Sequence, residues 1–83
     1  MVRISFHELA EREMNDAALY YESEIPGLGV RFLDEIERYI AVIADNPNAG
    51  AEIRRKVRRR IMRKVPYGIL YVVKKDGIRI LAI

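Results

Sequence analysis

The hydrophobic period changes once along this chain, and that change limits the fold more than any other feature. Up to Ile43 the apolar residues recur every three to four positions, and after Lys56 they recur every two. A helix has about 3.6 residues per turn and a strand has a period of two, so helices come first and a sheet follows. Ala10, Met14, Ala17, Tyr21 and Ile25 form one helical stripe and predict a helix from about Phe6 to Ser23. Ser5 followed by Glu8 fits a capping box at its start. Pro26-Gly27 breaks the pattern. Phe32, Leu33, Ile36, Ile40 and Ile43 predict a second helix from about Leu28 to Asp45. So few residues join the two that they form an antiparallel αα-hairpin.

The ends of the chain read as strands. Val2-Arg3-Ile4-Ser5-Phe6 alternates and is tolerant of β structure. Asp45-Asn46-Pro47-Asn48-Ala49-Gly50 is a loop by composition. Val57, Ile61 and Val65 then fall on even spacings with arginines between them, predicting a strand over Val57–Lys64 that Pro66 ends. Tyr67–Lys74 is the next strand. Lys75-Asp76-Gly77 supplies an Asp-Gly hairpin turn, and Ile78–Ile83 is the last strand. The expected fold is α+β, of order β-α-α-β-β-β, with the αα-hairpin on one face of a small antiparallel sheet. With 83 residues the chain is one domain, residues 1–83.

Both faces of the last two strands are apolar. Ile69, Tyr71 and Val73 lie opposite Leu70 and Val72, and Ile80 and Ala82 lie opposite Leu81 and Ile83. Two helices cover only one face. Leu70, Val72, Leu81 and Ile83 are therefore candidates for contact with a partner chain or a second copy, as in a homodimer. A strongly twisted sheet closed by its own termini is the alternative.

Charge divides the chain as sharply as period does. Residues 1–53 carry a formal charge of −7 and residues 54–83 carry +10, giving the modest net +3. Eight of the eleven residues from Arg54 to Lys64 are basic. A solvated face balanced by the acidic half is one reading; an anionic partner, nucleic acid or acidic protein, is the other. Arg58, Arg59, Arg60, Arg63 and Lys64 are the candidates for contact with a target. Alternation places Arg58, Arg60 and Lys64 on one strand face and Arg59 and Arg63 on the other.

Other chemistry is sparse. The chain has no cysteine, and His7 is its single histidine, so no metal or cofactor is expected. Glu8, Glu11, Glu22 and Glu24 read as solvated helix faces rather than acid–base pairs. Gly27-Leu28-Gly29 lacks the lysine and preceding strand of a phosphate loop. Tyr20, Tyr21, Tyr67 and Tyr71 could stack on bases but read as packing residues. No apolar run reaches the roughly 18 residues that span a bilayer, and Met1–Ala10 has no signal pattern, so no membrane contact and a cytoplasmic location are expected.

The ordered set of motifs resembles the RelE/ParE toxin superfamily, in its ParE-like branch. Tyr20-Tyr21-Glu22, Pro26-Gly27-Leu28-Gly29 and Arg31-Phe32-Leu33-Asp34-Glu35 resemble its helical hairpin, and Asn46-Pro47 falls where the second helix ends. Arg58-Arg59, Val65-Pro66-Tyr67-Gly68-Ile69-Leu70-Tyr71 and Ile78–Ile83 resemble its strands. The resemblance implies the toxin of a type II toxin–antitoxin pair, used in plasmid stabilisation and growth inhibition and neutralised by a cognate antitoxin.

RelE-like members cleave mRNA in the ribosome, whereas ParE-like members are associated with inhibition of DNA gyrase. In the mRNA-cleaving members an arginine stands where this chain has Gly68, and two lysines stand at Arg59 and Ile61. Glycine and isoleucine carry no titratable proton, and arginine gives one up poorly because its delocalised guanidinium holds its charge. Family members usually continue past the last strand with a His/Arg segment, whereas this chain stops at Ile83. The resemblance leaves three readings of that stop: a natural short form, a decayed toxin that only binds antitoxin or self-associates, or a chain cut short. No residue set completes a catalytic mechanism, so the catalytic residues stay unknown and a non-enzymatic toxin is the expectation. Direct nucleic-acid binding by the basic strand is a weaker reading.

Overall fold

The computed structural model describes residues 3–63 and 67–83. The elements are β1 (Arg3–Phe6), α1 (Glu8–Glu24), α2 (Leu28–Asp45), β2 (Ala51–Arg54), β3 (Val57–Ile61), β4 (Gly68–Lys74) and β5 (Gly77–Ala82). They form a helical hairpin against one five-stranded sheet of order β1-β5-β4-β3-β2. The strands β2 to β5 form an antiparallel meander, and β1 joins its far edge parallel to β5. The expected α+β architecture is present, with one strand more than the sequence indicates.

α1 begins later than expected, and its cap differs. His7 is extended (φ −63°, ψ 142°), and its Nδ1 accepts the Leu9 N–H at 3.1 Å. Ser5 lies in β1, beside the Arg79 guanidinium at 3.5 Å, so it does not cap the helix. The β1–β5 ladder explains the shift: the His7 N–H donates to the Ile80 carbonyl at 2.7 Å, which holds residues 3–7 extended. Glu8 and Glu11 in the first turn favour the positive end of the helix dipole.

The turn between the helices is closed by Glu22. Its carboxylate accepts the Gly27 N–H at 2.8 Å and the Gly29 N–H at 3.0 Å, satisfying orphan donors at the start of α2. Gly27 takes φ 87°, which an L side chain rarely adopts. At Gly29 a Cβ would collide with the Ala18 carbonyl of α1, so glycine sets how closely the helices approach. Ile25, assigned above to the first stripe, instead caps α1 and is 58% exposed.

The core lies between the hairpin and one sheet face. Ala10, Ala18, Phe32, Ile36 and Ile43 come from the helices, and Ile69, Tyr71, Ile78 and Ile80 from the central strands. Full burial of side chains of this size stabilises by about 1.5–3 kcal/mol each. Tyr71 carries a polar atom at the core's edge that organises a loop. Its hydroxyl donates to the Pro47 carbonyl at 2.7 Å and accepts the Gly50 N–H at 3.2 Å. The α2–β2 loop is thereby pinned to the sheet.

β2 is the strand the sequence does not show. Ala51-Glu52-Ile53-Arg54 has no alternating burial and all four residues are exposed. It is defined by pairing to β3, with a bulge between Glu52 and Arg54. β3 ends at Ile61, short of the expected Lys64, with Met62 and Arg63 already outside the strand; Lys64 and Pro66 lie outside the described residues.

Candidate partner and target surface

The registers across the sheet decide which arginine lies on which face. Arg58 pairs with Tyr71 and Arg60 with Ile69, so both stand on the face that carries the helices. Arg59 pairs with Leu70 and Ile61 with Gly68, so these point to the opposite, open face. Alternation adds Val57, Val72, Arg79 and Leu81 to the open face. None of these open-face residues is buried, whereas Ile69, Tyr71, Ile78 and Ile80 behind them all are.

The partner candidates divide accordingly. Leu70, Val72 and Leu81 are half-buried on the open face. Ile83 is not with them: it follows the end of β5 and packs against the core cluster. The bulge between Leu70 and Tyr71 breaks the alternation at that end of the β4–β5 pair, a register change that period-2 reading cannot see.

The target candidates divide as well. Arg58 is held inside the fold. Its Nη1 donates to the Asn48 carbonyl at 3.0 Å and the Gly50 carbonyl at 2.8 Å, so its charge braces the same loop that Tyr71 pins. Arg59 and Arg63 are exposed and Arg60 is half-buried. The backbone N–H of Arg63 donates to the Tyr39 hydroxyl at 3.0 Å, which leaves its guanidinium outside. These three arginines, with Gly50, Ala51 and Ile61, line an open hollow of about 320 Å³. Lys64 lies outside the described residues.

Arg59, Ile61 and Gly68 sit together on the open face, with Ile61 and Gly68 directly paired. Those are the positions that the resemblance drawn from the sequence sets against two lysines and an arginine of the RelE-like members. Here the patch offers one guanidinium, an aliphatic side chain that is 63% exposed, and a glycine. It can attract an anion, but it presents no group suited to take up or release a proton near neutral pH.

The tyrosines are distributed between packing and surface. Tyr71 is fully buried. Tyr21, Phe32 and Tyr67 form an aromatic cluster with centroids 5.2 to 6.4 Å apart, and Tyr20 is exposed against its edge. The Tyr21 hydroxyl donates to that of Tyr67 at 3.3 Å. This bond, then burial, then the nearby phenols of Tyr67 and Tyr20, raise the Tyr21 pKa above the usual phenol value of 10.0.

A second uncovered apolar surface escaped the sequence reading. An open groove of about 550 Å³ runs beside β1 and the hairpin, lined by Ile4, Phe6, Met14, Leu33, Ile40 and Ala44 among others. Each of these residues fits a core stripe, so spacing alone cannot show that the stripe is incompletely covered at the sheet edge.

Among the described residues, no helix is long and apolar enough to cross a membrane. A search of curated protein sequences returns no significant match. Among solved structures the fold is similar to a chain of the chromosomal ParDE toxin–antitoxin system from P. aeruginosa. That match has a TM-score of 0.82 and 20% identity, covering 99% of this chain and 92% of the other. The family model for the ParE toxin of the type II toxin–antitoxin system parDE matches residues 4–83. With nearly the whole chain matched and the fold in agreement, the chain belongs to the ParE toxin family of type II toxin–antitoxin systems.

Proposed function

We propose that the protein is a growth-inhibiting toxin held inactive by a cognate antitoxin, and that it acts without cleaving RNA. The observation that carries this reading is the open sheet face: Leu70, Val72 and Leu81 form an apolar band beside Arg59 and Arg79, with no buried residue among them. An acidic, partly disordered antitoxin segment that folds on binding would cover the band and meet its arginines. The groove beside β1 offers the same segment a second apolar anchor. Self-pairing of the open face into a homodimer is the competing use of that surface.

The cellular target that suits this reading is DNA gyrase, as the ParE-like resemblance implies. Support against the ribosome-dependent endonuclease comes from the Arg59–Ile61–Gly68 patch, which lacks proton-transfer groups. The test is induced expression of these 83 residues in a bacterial culture, with and without co-expression of a candidate antitoxin that binds the purified chain. Growth arrest relieved by the antitoxin, with inhibited supercoiling by purified gyrase and intact mRNA, is the expected result. Arrest accompanied by ribosome-associated mRNA cleavage would replace gyrase with the ribosome. Absence of arrest, with antitoxin still bound, would make the chain a binding module alone.

A further inference from the structure

The β2–β3 hairpin is the sheet's edge, and cations occupy its side and its tip. Arg54, Arg55 and Lys56 form the tip, and Arg59, Arg60 and Arg63 surround the hollow beside Gly50. None of these six forms an ion pair among the described residues; the salt bridges present, Arg12–Glu8 and Arg38–Glu35, are on the helices. The one acid in β2, Glu52, uses its carboxylate to accept the Lys56 N–H at 3.1 Å. Lys74 and Lys75, at the neighbouring β4–β5 turn, extend the positive field at the tip end, because Val57 pairs with Val72 and both turns lie at the same end of the sheet.

We propose that this hairpin binds the phosphodiester backbone of nucleic acid, independently of sequence. The argument is one of spacing and shape. A strand rises about 3.3 Å per residue, so the run from the tip to Arg63 extends about 20 Å. Double-stranded DNA carries a charge about every 3.4 Å along each strand, so several phosphates lie within that reach. Five of these six cations are arginines, whose planar fork bonds phosphate oxygens in pairs. A disordered acidic segment would need apolar anchors to offset its ordering cost. The continuous apolar band lies on the open face, whereas the hairpin exposes only the isolated large apolar side chains of Ile53 and Ile61. A nucleic-acid backbone is already ordered and needs only the cations. This surface meets the one assigned above to the antitoxin at Arg59, and the tip residues Arg54, Arg55 and Lys56 lie outside it, so the tip variant below tests this assignment apart from that reading.

The experiment is fluorescence anisotropy of the purified full chain, free of antitoxin, with labelled duplex DNA of arbitrary sequence and with labelled single-stranded RNA. Salt is varied between about 50 and 200 mM, where each phosphate neutralised on B-DNA contributes about −0.9 to the slope of log K against log salt. The expected result is binding to the duplex that falls steeply with salt. Arg54→Gln/Arg55→Gln/Lys56→Gln and Arg59→Gln/Arg60→Gln/Arg63→Gln should each weaken it at least tenfold and flatten the slope by up to about 2.7. The control Arg12→Gln/Arg31→Gln, on the helices, should leave both unchanged. Circular dichroism and thermal melting establish that each variant is folded. Binding to RNA as well as DNA fits the proposal and identifies the shared backbone as the ligand. A flat salt response, or triple variants that bind like the control, would overturn it. Binding of a polyglutamate peptide with none to either nucleic acid would also overturn it, and would assign the hairpin to an acidic protein.

Discussion

At the scale of single residues, two tyrosines carry duties that their apolar surroundings conceal. Tyr71 has no exposed surface, yet its hydroxyl satisfies both the Pro47 carbonyl and the Gly50 N–H. Tyr71→Phe keeps the ring and strands both loop groups, of which Gly50 is buried. Leaving a buried polar group unpaired costs about 1–3 kcal/mol, so the unfolding free energy should fall by that amount and the urea midpoint by that amount divided by the slope, with the slope little changed. Tyr21 makes a pH-dependent contribution. Its hydrogen bond to Tyr67 raises its pKa in the folded state above 10.0, so the folded chain holds that proton more tightly than the unfolded chain does. The associated stability is intact below the unfolded value of 10.0 and declines as pH rises beyond it through the folded value. Tyr21→Phe should therefore flatten the alkaline limb of the stability profile, and remove a late-titrating phenol from the ultraviolet absorbance titration. An unchanged limb would contradict the assignment.

Arg58 and Arg59 show how little residue type reveals at this scale. They are neighbours with the same side chain, and the sequence offers both as target contacts. Alternation places them on opposite faces, and that much is legible. What is not legible is that Arg58 meets the Asn48 and Gly50 carbonyls. Those acceptors belong to a loop whose path is set by Tyr71, 13 positions beyond Arg58 in the chain.

At the scale of elements, the αα-hairpin depends on one close approach. Gly29→Ala would gain up to about 1 kcal/mol of helix propensity. Against that gain, the new Cβ meets the Ala18 carbonyl, which is backbone and cannot rotate aside. Overpacking costs about 1–3 kcal/mol, so the clash wins. The variant should melt at a lower temperature than the parent, with its helices intact by circular dichroism. A higher melting temperature would mean the helices separate without cost. The extent of α2 is legible because its stripe is local: it spans Leu28–Asp45, the range its apolar spacing predicts. The start of α1 was misread because Ser5 to Glu8 is a valid capping box locally, and the β1–β5 ladder overrides it.

At the scale of the whole molecule, both period and charge become surfaces. The helices take one sheet face and leave the other, and the dense basic run from Arg54 to Arg60 lies along the β2–β3 hairpin at one sheet edge. The open face is tested by substitution. Leu81→Glu is half-exposed and outside the core, so the chain should remain folded. Its affinity for the antitoxin should fall at least tenfold, a loss of about 1.4 kcal/mol or more. Ala41→Arg, an exposed residue lining the groove beside β1, tests the second anchor in the same titration. If neither variant weakens the complex, the antitoxin uses another surface. Size exclusion of the parent chain across dilution separates self-pairing from antitoxin capture.

The sequence by itself determined the α+β class, the helical hairpin, the central strands and the separation of charge. Each of these rests on spacing between residues close in the chain, where hydrophobic period, turn residues and composition act directly. The tertiary structure decided the rest. β2 exists because β3 offers it hydrogen bonds, since its own four residues have no buried face. β1 lies parallel to β5 because the hairpin carries the chain back across the sheet. Ile83 joins the core, and Leu81 stays on the open face, after a bulge that shifts the β4–β5 register. Edge pairing, bulges and loop contacts involve partners far apart in sequence, so no local pattern encodes them.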